Sequence, residues 1–462
     1  MRRIPIAPVA AIILALTPAL WAQDVPPGQV EAGAGEATPT QPAPADVIAA
    51  SVDDPRLRLL LQEILERNPD LAALAATARA ASLRTPQVKA MPDPVLSITA
   101  FLMSPETRVG PQYGTVALSQ RFPWFGKLPL REQVALADAA GAAARVEARR
   151  LQLVTEVRRL AHELAWVDLW EREIEADRST LMHYEELTRA RYTSGVGLQQ
   201  PIIKLQAEIT RDETRLLELS TLRSTLGARL NAMRDRPERT PLPTFELPPV
   251  RELQLDMAAL RTAALARRPE FAEVDALLAR AGHRAELARK DSTPDVTAGI
   301  AWTWVGERKD AAGRANPPED NGRDVLALFG SINLPVHRAN RAAAVEEAGE
   351  ERLTAEARRR SITAGIEGDL ADLTQKIEDA WRRLRLFEDV LILQARQSLD
   401  SAESGYATGT QDALDLLDAE RILLEVRIAT ARARTDWAVA LARLEGVTGT
   451  PLAQIPELEI NR

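Results

Sequence analysis

The chain has 462 residues, 58 Lys and Arg against 66 Asp and Glu, a formal net charge of -8 and no cysteine. That balance argues against a basic face for nucleic acid, and the missing thiols rule out disulfide staples, thiolate metal centres and a lipid anchor on cysteine. Beyond the first two dozen residues no segment approaches the roughly 18 uninterrupted apolar residues of a membrane-spanning helix, so a membrane-embedded part has to be a barrel.

Residues 1–22 read as a signal peptide: Arg2 and Arg3 precede "IPIAPVAAIILALTPALWA", with cleavage expected after Ala22. Residues 23–54, rich in Pro, Ala, Gly and acid, read as a disordered leader. From there the chain is one unit written twice. "LERNPDLAALAATARAA", from Leu65, answers "LARRPEFAEVDALLARA", from Leu265. Pro123 answers Pro335, and "RYTSG" at 191–195 answers "GYATG" at 405–409. The first repeat covers 55–235, with a β-hairpin at 95–122 and a helical hairpin at 127–233. A Pro-rich linker follows at 236–255. The second repeat covers 256–450, with hairpins at 295–334 and 336–447, and a tail closes the chain at 451–462.

Each expected strand alternates with a period of two. Leu96, Ile98, Ala100 and Leu102 oppose Ser97 and Thr99; Val116 and Leu118 oppose Ser119 and Arg121. In the second repeat Val296, Ala298, Ile300, Trp302 and Trp304 oppose Thr297, Gly299, Ala301 and Thr303, while Leu326, Leu328 and Ile332 oppose Ser331 and Asn333. About 9 to 11 residues is the length a tilted strand needs to cross a bilayer. The helical stretches, from Leu128 to about Arg191 and from about Ala339 to Glu403, are each on the order of 100 Å long at about 1.5 Å per residue.

The fold class expected is mainly α with a membrane β-barrel: long antiparallel coiled-coil helices, two internal repeats, and four strands per chain. Bacterial barrels start at about eight strands, and an open edge is not viable in lipid. A dimer's eight strands leave an interior filled by side chains, whereas a homotrimer's twelve leave room for water. "FPWFGK" is then where the chain leaves hydrocarbon: Phe122, Trp124 and Phe125 form one aromatic belt, and Trp302 and Trp304 mark the opposite one.

The double repeat, "MPDP" at Met91 to Pro94, "PWFGK", the "YxxG" turns and the following "LLDAE" together resemble the TolC-type outer membrane factor family. "MPDP" with "PWFGK" resembles more narrowly its heavy-metal branch, the CzcC and CusC-like proteins. The resemblance covers residues 55 to 450. It implies an outer-membrane channel of a tripartite efflux pump: a twelve-strand trimeric barrel continued by a periplasmic helical tunnel. A periplasmic adaptor (membrane fusion) protein and an inner-membrane RND-type pump would be its partners, with outer-membrane lipid around the barrel. It also implies that the "YxxG" turns, with Tyr192, Gly195, Gly197, Tyr406 and Gly409, are adaptor-docking tips.

After Gly409, Asp412, Asp415 and Asp418 recur at a spacing of three and share one helix face. Asp415 and Asp418 match aspartates that line the family's closed entrance, and in a trimer each becomes a ring of three charges at a periplasmic gate. A solvated first-turn face suited to the helix dipole is the alternative. His162, His183, His283 and His337 show no metal spacing, and no nucleophile or phosphate-loop motif is present. No enzyme activity, cofactor or metal is expected. The competing reading is a secreted, periplasm-spanning coiled-coil structural or adaptor protein without a pore.

Overall fold

The structure is a computed structural model and describes residues 42–455. The expected signal peptide, and the leader as far as residue 41, lie outside the described residues. The chain divides into two compact units. One comprises Thr85–Val134 and Gly282–Gly349; the other comprises Pro42–Arg84, Ala135–Ala281 and the chain from Glu350 on.

In chain order, α1 (Pro44–Ala50), α2 (Pro55–Arg67) and α3 (Pro69–Lys89) precede β1 (Val95–Ala100), β2 (Glu106–Thr107) and β3 (Gly110–Phe122). The long α4 (Lys127–Thr193) and α5 (Gln199–Met233) follow, then α6 (Met257–Arg267), α7 (Pro269–Lys290), β4 (Val296–Val305), the short α8 (Ala311–Ala315) and β5 (Val325–Ile332). The last described elements are α9 (Arg338–Leu386), a π turn (Phe387–Leu391), α10 (Ile392–Thr408), α11 (Ala413–Thr448) and a 3-10 turn (Leu452–Gln454). No helix among the described residues is long and apolar enough to cross a membrane.

The duplication is visible in local chemistry. Asp54 caps α2 by accepting from Arg56 N, and Asp256 caps α6 by accepting from Ala258 N. Pro69 and Pro269 each open the next helix, because a proline lacks the N–H a continuing helix needs but suits a first turn.

One part of the leader differs from expectation. Residues 44–50 are helical, with Ala45, Ile48 and Ala49 buried, and Val52 joins them in a core with Leu57, Leu61, Val154, Leu160 and Leu230. Four small apolar groups at near-helical spacing find a prepared surface, so burial there offsets the ordering cost that composition alone makes prohibitive.

The sheet runs β1-β3-β4-β5, all antiparallel, with β2 pairing β3 off the path. Its register aligns apolar residues in rows: Leu96, Leu118, Ile300 and Leu328 lie side by side, as do Ile98, Val116, Trp302 and Leu326. Cross-strand partners share a face, so one face of all four strands is apolar apart from Gln120, which lies opposite Ala298. The opposite face carries rows such as Ser97, Ala117, Ala301 and Ala327, and a Thr115–Thr303 hydroxyl contact of 2.9 Å. Every residue of β1 and β5 is exposed. Leu102, expected on β1, lies beyond its end and is 87% exposed.

The helical unit holds three cores. The first draws on α1, α2, α4 and α5, the second on α6, α9 and α11 with Phe271, and the third, near the helix-hairpin turns, on α4, α5, α10 and α11.

Candidate functional site

At the lower end of the sheet, Phe122 closes β3 opposite Val296, which opens β4. Gly114, eight residues back along β3, lies opposite Trp304. At about 3.4 Å per residue the two aromatic levels are roughly 27 Å apart along the strand, or roughly 20 Å along the axis of a barrel whose strands tilt by about 40°, somewhat less than the apolar band of about 25 Å of an outer-membrane barrel. Phe122, Trp124 and Phe125 are exposed, and Phe125 is 86% so. The Trp302 and Trp304 rings meet at a tilt of 52° with centroids 5.1 Å apart, and Trp302 Nε1 donates to Asp324 Oδ2 at 3.1 Å.

The last residue of "PWFGK" anchors this exit. Lys127 is 3% exposed; its Nζ donates to Asp295 Oδ1 at 2.8 Å and to Thr293 O at 2.9 Å. Arg121 Nη2 reaches Asp295 Oδ2 at 2.5 Å, and Trp124 N donates to Oδ1 at 3.1 Å. Burial pushes the Asp295 carboxyl up, but the bonds from Lys127, Arg121 and Trp124 N outweigh it and hold it at about 2. The clamp joins the end of the first repeat's β-hairpin to the start of the second's.

The two helix-hairpin turns are built alike. Gly195 and Gly409 stand at φ +79° and +78°, the left-handed conformation that ends a helix without a Cβ penalty. A Cβ added at either meets nothing within 4 Å. Gly409 N returns to Tyr406 O and Gly195 N to Tyr192 O. Around the first turn Tyr192, Val196 and Leu198 are exposed, whereas Tyr406 is buried.

Contacts between α4 and α10 bury Tyr406. Arg191 Nη2 donates to Tyr406 O at 2.6 Å, with its guanidinium 4.0 Å from the centre of the Tyr406 ring. The Thr188 and Tyr406 hydroxyls are 3.0 Å apart, and Tyr184 OH donates to Glu403 Oε1 at 2.7 Å. Burial, then the bond to Glu403, raises the Tyr184 hydroxyl's pKa.

Asp412 is the N-cap of α11, accepting from Leu414 N at 2.7 Å and Asp415 N at 3.1 Å. Asp415 Oδ2 accepts from Asp412 N at 3.2 Å, completing a capping box. Asp412, Asp415 and Asp418 are all exposed. Pro201 and Lys204 occupy the corresponding places in the first repeat, and Pro201 is buried.

A family model described as outer membrane efflux protein matches residues 60–233 and 260–450. The chain belongs to the outer membrane efflux protein family. The gap between the matched stretches falls on the Pro-rich linker between the repeats. No curated protein matches the chain. Solved structures share the fold of this efflux protein at low identity. The outer-membrane channel OprN aligns with a TM-score of 0.72 at 19% identity, covering 86% of this chain and 90% of that one. CusC, studied for folding and transmembrane channel formation, gives 0.72 at 14%, covering 89% and 96%. The MtrE outer membrane channel of Neisseria gonorrhoeae, in its open state, gives 0.66 at 20%, covering 90% and 94%.

Among the described residues of this efflux protein no group of three His, Asp or Glu is arranged to hold a metal ion. His162 is buried without a hydrogen-bond partner; burial, then the charge of Arg158, lowers its pKa to about 3, so it stays neutral. Lys127, Asp295, Tyr184, Thr188, Arg191 and Glu403 are not among the candidate site residues that the sequence marks. One signal was available: Arg191 precedes the tyrosine of the first turn, whereas Gly405 holds that place in the second.

Proposed function

We propose that this efflux protein is the outer-membrane channel of a tripartite export pump. Three copies close a twelve-strand barrel, and their paired helices continue it as a tunnel through the periplasm. The observation that carries this reading is the four-stranded sheet, apolar on one face apart from Gln120 and open at both edges. Four strands cannot close on themselves, and unpaired strand edges are not tolerated in hydrocarbon. Twelve strands satisfy every edge and leave a polar lumen. The aromatic levels at the two ends of the strands support the same orientation, with Phe122, Trp124 and Phe125 on the periplasmic side and Trp302 and Trp304 on the outer side.

In this reading the turns with Tyr192, Gly195, Gly197, Tyr406 and Gly409 face a periplasmic adaptor, which links the channel to an inner-membrane RND-type pump. Asp415 and Asp418, with Asp412 above them, form acidic rings at the closed end and favour cations. The contacts of Arg191, Thr188 and Tyr184 with α10 hold that end shut. The cargo we infer is a heavy-metal cation, a reading supported by the resemblance at "MPDP" and "PWFGK".

The test is single-channel recording of the purified protein in a planar bilayer, with its mass measured in detergent beside it. Small, cation-preferring currents from a trimer are expected. A monomer that never inserts would leave a soluble helical rod as the better account.

A further inference from the structure

Between the tip turns and the middle of the helices, carboxylates from three helices are buried against one another. Asp177 of α4 is 4% exposed, Asp212 of α5 is fully buried, and Glu420 of α11 is 5% exposed. Glu208, one turn before Asp212, is also buried. Charges facing this group come from every helix around it. On α5, Arg215 Nη1 lies 2.7 Å from Asp212 Oδ1 and 3.6 Å from Glu208 Oε1, and Arg211 pairs with Glu208 Oε2. On α11, Arg427 attracts Glu420 while also lying 3.5 Å from Glu173 of α4. Glu403 of α10 adds negative charge and accepts from Tyr184 of α4.

When these bonds are made, Asp177 Oδ1, Asp212 Oδ2 and Glu420 Oε2 remain buried with no donor. Asp177 lies within hydrogen-bonding reach of both Asp212 and Glu420. An ionised carboxylate has only acceptors, so carboxylates placed in this way repel unless a proton lies between them. A buried charge left without a partner is far costlier than a neutral acid that donates a hydrogen bond.

We propose that Asp177, Asp212 and Glu420 bind one shared proton, and that this proton is a pH-sensitive latch tying α4 to α5 and α11. Burial first, then the bonds and charges of Asp212 and Glu420, push the Asp177 carboxyl up to about 9; burial also raises Glu420. The sign follows from linkage. The folded protein keeps a proton that the unfolded chain releases above about pH 3.9, so the latch stabilises fully below that pH. Its contribution declines as pH rises and is gone above the folded value. The packing of α4 against α5 and α11 therefore loosens toward alkaline pH.

The test uses the full-length protein in detergent and its Asp177→Asn variant, which replaces the proton with a permanent amide donor. Infrared difference spectra of the wild type should show the carbonyl band of an un-ionised carboxylic acid at neutral pH, fading as pH is raised to about 10. The variant should lack that band, and its thermal midpoint should fall less with pH than that of the wild type. Absence of the band at neutral pH, or the same pH dependence in both proteins, overturns the proposal. Should Asp177→Asn fail to assemble, Glu420→Gln should weaken the same band, and a band left unaltered counts equally against the latch. The functional consequence rests on the channel reading: conductance should rise severalfold with pH in the wild type and stay low in Asp177→Asn. A titrating band with no current at any pH would refute the channel and leave the latch standing, whereas equal conductance rises in both proteins would refute the latch as a gate.

Discussion

Replacing Lys127 by methionine tests whether the buried ion pair at the sheet exit holds the two repeats' β-hairpins together. Lys127 and Asp295 are 3% and 6% exposed and 2.8 Å apart. Removing one partner of a buried pair costs about 3–5 kcal/mol, because a charge is left desolvated. Here Asp295 keeps Arg121, which is more than half exposed, and the Trp124 amide, so about 3 kcal/mol is expected. The variant should show a clear drop in the temperature at which the detergent-purified protein changes gel mobility. Adding Asp295→Leu should recover part of that loss, since an apolar pair of similar volume avoids the desolvated charge. The pH dependence has a definite sign. With its pKa held at about 2, Asp295 contributes stability above its ordinary value, and that stability is lost as pH falls through 2; in Lys127→Met the loss should begin nearer pH 4. A Lys127→Met protein with the wild-type midpoint at neutral pH would refute the argument that this pair bears on stability.

Other perturbations address the end of the helices that carries the two turns. Arg191→Gln removes both the bond to Tyr406 O and the cation over its ring, and should raise single-channel conductance; unchanged currents would count against the contact as a restraint. Asp415→Ala with Asp418→Ala should lower cation preference or raise conductance in the same recordings, and unaltered selectivity would remove the ring assignment. Asp412→Ala should destabilise α11 by about 1 kcal/mol through loss of the cap, measurable as a lower thermal midpoint. Gly409→Val forces a β-branched residue into a left-handed backbone with open space around it. It should weaken adaptor binding in a pull-down while the oligomer stays intact, and undiminished binding would contradict the docking role of that turn.

The long helices could be read from the sequence because a 3.6-residue period sustained over some sixty positions has no competing explanation. The sequence predicts the first from Leu128 to about Arg191, and α4 runs Lys127–Thr193. The sheet was legible for a related reason: alternation marked Leu96, Leu118, Ile300 and Leu328 separately, and the register sets them in one row. What escaped depended on partners far away in sequence. Residues 44–50 look disordered until the surface that buries Ile48 is known. Asp177, Asp212 and Glu420 resemble any solvated helix charge in a chain that is 27% charged, and only the packing of three helices brings them together. Arg191 and Tyr406 are 215 positions apart, and the repeat conceals their contact because only the first copy carries the arginine.

The central claim, that copies of this chain complete one another's sheet, can be tested through the repeat itself. Asp93 answers Asp295 at an offset of 202, and Pro123 answers Pro335 at 212. These offsets carry the pair Val95–Ser119 onto Thr297–Ser331, which is the pairing observed. Applied to the β3–β4 joint, they carry Ser119–Gly299 onto Ser331 of one copy and Ser97 of the next. With no native cysteine to interfere, Ser97→Cys with Ser331→Cys should cross-link copies into a covalent trimer under mild oxidation. Thr99→Cys with Ser331→Cys, two residues out of register, should react far more slowly. A double-cysteine protein that stays monomeric, or that cross-links better in the shifted pair, would contradict the account.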